Sequence, residues 1–111
     1  MKTFIVIYYA PTSADQNMQA DPKEMAGVMD AWMAWAKKVG SGMKDIGTPL
    51  GNGFQITKSG KDAPSKSNIV GYSIIQAESM DEAKALLKDH PHLSMPGACE
   101  IEVHESLPLP K

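Results

Sequence analysis

Arginine is absent from this chain of 111 residues, so its permanently charged basic side chains are all lysines. With a net charge of −2 and no guanidinium for bidentate phosphate or base contacts, the chain lacks the footprint of a nucleic-acid or anionic-membrane binder. A single cysteine, Cys99, excludes an internal disulfide and any cysteine-based zinc cluster within one chain, and fits a reducing cytoplasm. No apolar run approaches the length that spans a bilayer. The short apolar start superficially resembles a signal peptide. Two tyrosines and a closing proline make a buried first strand the better reading.

What is present reads as one α+β domain over 1–111. "TFIVIYYA" (3–10) and "IVGYSIIQA" (69–77) are β-branched and aromatic without polar alternation, as expected of central strands buried on both faces. Pro11 ends the first, and 12–20 is a polar loop. Asp21, Pro22 and Glu24 then suit the N-cap, N1 and N3 of a helix, with Glu24 closing a capping box. Its apolar stripe is Met25, Val28, Met29, Trp32, Trp35, Ala36 and Val39; Lys37, Lys38 and Gly40 or Gly42 end it.

The Gly- and Pro-rich stretch 43–61 reads as a short extended piece, a turn at Gly51-Asn52-Gly53 and a strand "FQIT"; 61–68 reads as a flexible loop. Ser79 and Glu82 cap a second helix whose stripe is Ala83, Leu86 and Leu87. "CEIEVHE" (99–105) alternates, with Cys99, Ile101 and Val103 on one face and Glu100, Glu102 and His104 on the other. The order β-α-β-β-β-α-β is a split βαβ, ferredoxin-like plan: an antiparallel sheet with two helices on one face. A second copy of the chain is the simplest cover for the other face.

"DPKEMAGVMDAW", "GYSIIQAESMDEAKALLKDHPHL" and "EIEVHE" resemble the YCII-related (DGPF-type) family of small bacterial proteins over essentially the whole chain. The stretch 44–66 carries the resemblance least, and "SKSNIVGY" stands where the DGPF branch has its tetrapeptide. The resemblance implies a ferredoxin-like fold assembled as a dimeric α+β barrel. Some family members resemble chlorohydrolase-type or muconolactone-isomerase-type barrels. They carry a histidine on helix 1 and an aspartate before proline at the end of helix 2. Those positions correspond here to Glu24 and His90, so acid and imidazole have exchanged places.

The chemistry then centres on "DHPHL" (89–93). His90 continues the stripe of the second helix, and Pro91 turns the chain out of that helix. Read functionally, His90 and Glu24 form an acid–base couple at a pocket mouth, with no cofactor. Read blandly, His90 faces the last helical carbonyls and Glu24 is a capping residue. Tyr8, Trp32, Tyr72 and His92 are candidate ligand-binding residues, and each also serves as a plain core or loop residue. A metal site from His90, His92 and His104 would need three rings from two segments to converge. Cys99, on an apolar strand face, reads as an inert thiol.

Two functions follow. One is a small dimeric enzyme-like protein acting on a small organic molecule. The other is a non-catalytic ligand-binding or accessory module.

Overall fold

The computed structural model describes residues 1–10, 22–94 and 99–110, without the side chains of 22–25 and 94. Its elements are β1 (Lys2–Tyr9), α1 (Pro22–Val39), β2 (Met43–Asp45), β3 (Phe54–Ile56), β4 (Asp62–Pro64), β5 (Ile69–Ala77), α2 (Met80–Leu87) and β6 (Glu100–Glu105). One-turn 3-10 segments follow each helix, at Gly40–Gly42 and Pro91–Ser94. The expected cap at Asp21 and the Glu24 carboxylate lie outside the described residues.

Four strands form an antiparallel sheet in the order β2-β5-β1-β6, which is the ferredoxin-like arrangement. The register alternates side chains cleanly between two faces. Phe4, Val6, Tyr8, Ser73, Ile75 and Ala77 point to one face and are buried there. Trp32, Trp35 and Val39 from α1, with Met80, Ala83, Leu86 and Leu87 from α2, cover that face and complete a single core. The sequence-based picture of strands buried on both faces is corrected: Ile5, Ile7, Tyr9, Tyr72 and Ile74 line the opposite face and are only half-buried.

Local chemistry explains the element ends. Ser79 caps α2 by accepting the Glu82 N–H at 3.2 Å. Gly40, at φ 68°, closes α1 in the left-handed conformation that suits a C′ glycine. Gly47, at φ 85°, follows β2 so closely against β5 that a side-chain carbon there would fall on the Tyr72 carbonyl.

Two details differ from the sequence reading. Residues 62–64, read as loop, form β4 and pair with β3 as a separate hairpin; "DAP" carries no strand propensity, and the pairing comes from the turn at 57–61. Met29, assigned to the apolar stripe, is 53% exposed, whereas Trp35 is buried and Val28, Trp32, Ala36 and Val39 are half-buried.

Candidate functional site at the exit of the second helix

α2 ends at Leu87, and the chain turns through His90 into the Pro91–Ser94 segment. The backbone N–H of His90 donates to Leu87 O at 3.1 Å, and that of Leu93 donates to His90 O at 3.0 Å. This double turn aims the His90 ring inward, where it is 1% exposed. The ring meets Trp35 and Trp32 at centroid distances of 4.3 and 4.5 Å, both edge to face, and Tyr8 at 4.9 Å. Trp35 is itself fixed by its indole N–H, which donates to Leu86 O at 2.8 Å.

The hydrogen bonds determine the tautomer of His90. The His92 backbone N–H donates to His90 Nδ1 at 2.9 Å, so Nδ1 holds a lone pair rather than a proton. In the neutral ring the proton therefore sits on Nε2, which lies 3.1 Å from the Tyr8 hydroxyl and donates to it. Tyr8 in turn donates to Ser73 Oγ at 2.8 Å, and Ser73 donates to Ile46 O at 2.6 Å. The result is a one-way chain, His90 to Tyr8 to Ser73 to a backbone carbonyl, running from the helix exit across two strands.

Burial holds both titratable members in their uncharged forms. Desolvation, with a smaller contribution from the neighbouring His92 ring, lowers the His90 pKa from 6.5 to about 3. Desolvation also raises that of Tyr8, against the opposing hydrogen bond to Ser73. At neutral pH the cluster is a neutral donor array: an imidazole N–H and a phenol O–H with fixed directions.

His92 is 2% exposed and lies on the same side, its Nε2 2.7 Å from Tyr9 O and its ring 5.2 Å from that of Tyr8. Tyr8, Trp32, His90 and His92 are thus brought together. Tyr72 is not: it pairs in register with Ile7, whereas Tyr8 pairs with Gly71, so the two phenols face opposite sides of the sheet. Tyr72 bonds instead to Asp45 Oδ2 at 3.2 Å. His104 also lies on that opposite face, 2.9 Å from Glu102 Oε1, and does not converge with His90 and His92. Among the described residues no group of three His, Cys, Asp or Glu side chains is placed to hold a metal. Glu24 belongs to the first turns of α1, eight residues and about 12 Å of helix rise before Trp32.

Sequence reasoning missed Ser73, the fully buried hydroxyl that sets the direction of the Tyr8 bond. It is the one polar residue on the buried face of β5, a distinction visible only once the face is known. Gly71 lies beside the Tyr8 ring, where a side-chain carbon would meet it at 3.4 Å, an ordinary contact. A shallow open groove lined by Ala31, Ala34, Trp35, Lys38, Asp89 and Pro91 adjoins the cluster across Trp35.

Among curated proteins, none matches this chain. Among solved structures it is similar to 5-chloro-2-hydroxyhydroquinone dehydrochlorinase (TftG) from Burkholderia phenoliruptrix AC1100, in complex with 2,5-dihydroxybenzoquinone. The TM-score is 0.51 at 20% identity, covering 90% of each chain. That likeness shows a shared fold. The model of the YCII-related domain matches residues 1–106, and the chain belongs to that family.

Proposed function

We propose that this chain is a cofactor-independent enzyme that moves protons on a small organic molecule at the α2 exit. The observation that carries the reading is the His90 imidazole, held neutral and in one tautomer with its N–H aimed along a fixed line. A neutral imidazole donor can polarise a carbonyl or phenol oxygen while a carboxylate takes the proton, a division of labour known from other enzymes. We assign the donor to His90, whose N–H passes from the Tyr8 oxygen to the substrate oxygen when the substrate binds, and the base to Glu24. Trp32 and His92 flank the ligand. Tyr72 faces the other side of the sheet and is given no part in this site.

The aromatic surround of Trp32, Trp35 and Tyr8 suits a planar, oxygen-substituted ring. The quinone bound by the dehydrochlorinase is a natural first probe of that class. Titrating 2,5-dihydroxybenzoquinone and substituted hydroquinones while following tryptophan fluorescence, then product formation, tests the reading. Binding and turnover are expected in the wild type. Glu24→Gln should lose turnover and keep binding; His90→Asn should weaken both. Turnover untouched by either substitution would refute the assignment.

A non-catalytic ligand-binding module is the second reading, favoured by the fact that both His90 nitrogens already have partners. Binding without turnover in the same titration would select it.

We further propose a cytoplasmic bacterial homodimer, its partner covering the half-buried Ile5, Ile7 and Ile74 face. Light scattering should give twice the 12.0 kDa chain mass, and a monomer at all concentrations would overturn the assembly. Recovery of the native protein in a periplasmic fraction would overturn the location.

A further inference from the structure

The β3–β4 hairpin is an arm. Every residue from Thr48 to Ile69 is exposed, and the hairpin forms its own two-stranded sheet, apart from the main one. In its register Phe54 lies opposite Pro64 and Ile56 opposite Asp62, which puts the apolar Phe54, Ile56 and Pro64 on one side with Asp62 at its turn end. Phe54 is 66% and Ile56 79% exposed, so that largely apolar side has no cover among the described residues. A two-stranded hairpin is marginal in water without a surface to pack on. The arm is also basic: Lys58, Lys61 and Lys66 stand against Asp62 alone in 54–67.

The surface of complementary charge is β6. Its open face carries Glu100, Glu102 and His104, and β6 is an edge of the sheet. The arm leaves the chain after β2, the opposite edge. In a closed dimer whose sheets stack on their open faces about a twofold axis parallel to the strands, each β2 edge lies over the β6 edge of the other copy. From this geometry we infer that the β3–β4 arm of each copy laps over β6 of the other. Phe54 and Ile56 pack there, and Lys58 and Lys61 lie against Glu100 and Glu102. The occupant of the arm's apolar side is a second copy of this chain. The inference rests on the homodimer proposed above and adds which segment locks it.

Charge exchange tests it without touching the core. The dimer dissociation constant is measured by sedimentation at low salt for the wild type, for K58E/K61E, and for K58E/K61E/E100K/E102K. The double variant should dissociate about tenfold more readily, with the fourfold variant largely restored, and the wild-type constant should rise with salt. A second readout is zero-length carbodiimide crosslinking of mixed light and 15N-labelled protein. Lysine–carboxylate links between 58 or 61 and 100 or 102 should join unlike chains. A dimer with an unchanged constant in K58E/K61E and no such links would overturn the arm contact and leave the homodimer standing. A wild type that is monomeric throughout would overturn both.

Discussion

Tyr8 and Tyr9 are neighbours on β1 that face opposite sides of one sheet. Tyr8 is 1% exposed, donates to the buried Ser73 hydroxyl and receives the His90 N–H. Tyr9 donates at 3.2 Å to Glu102 Oε1, an exposed carboxylate that His104 also holds, and whose pKa is lowered chiefly by that His104 bond. Both phenols have raised pKa values with burial as the leading cause, but Tyr9 also feels the negative charge of Glu102 and Glu100. The buried face therefore excludes charge and fixes hydrogen-bond direction, while the open face collects charge where water screens it. Polar chemistry of fixed geometry belongs to the first face, and association chemistry to the second.

Substitutions on the two faces should separate by size. His90→Ala removes a ring packed against three aromatics and strands the Tyr8 hydroxyl, for an expected loss of about 3–5 kcal/mol in urea unfolding at neutral pH. A loss below about 1 kcal/mol would mean that the ring is not packed as described.

The pH dependence comes next. The folded pKa of His90, about 3, lies below the unfolded value of 6.5, so the unfolded chain binds a proton that the folded chain refuses. The stability is fully present above about pH 6.5 and falls, by at most about 1.4 kcal/mol per pH unit, as pH drops toward about 3. Unfolding of wild type and His90→Phe across this range should show a flatter slope in the variant, and parallel slopes would contradict the buried neutral ring.

Tyr8→Phe leaves two buried partners short of a hydrogen bond and should cost about 2 kcal/mol, whereas Tyr9→Phe should cost less than about 0.5 kcal/mol. Equal effects of the two substitutions would erase the distinction between the faces. Between them in size, Ser79→Ala should cost about 1 kcal/mol as an ordinary lost cap, an internal scale for both.

The framework was legible because local and global signals agree. Strand runs and helical stripes named their elements, Ser79 marked the start of α2, and the motif resemblance reached the same family that the domain match identifies. The site was less legible, because which residues meet is a matter of register. Nothing local says that Tyr8 stands opposite Gly71 rather than Tyr72, yet that one-residue offset puts the two phenols on opposite faces. His90 was visible from its place on the α2 stripe, but its tautomer depends on a backbone N–H two residues later, past a proline. Ser73 was silent because a single serine in a strand reads as noise until its Ile46 partner is in place. The β3–β4 hairpin was half legible, since Phe54–Ile56 looks like a strand and Asp62–Pro64 does not.

The most direct test is the protonation of the His90 ring itself, followed by long-range 1H–15N correlation on histidine-labelled protein from pH 8 to about pH 4. The expected result is a neutral ring with its proton on Nε2 throughout that range. A proton on Nδ1, or a titration midpoint near the ordinary histidine value of about 6.5, would contradict the neutral donor on which the proposed chemistry stands.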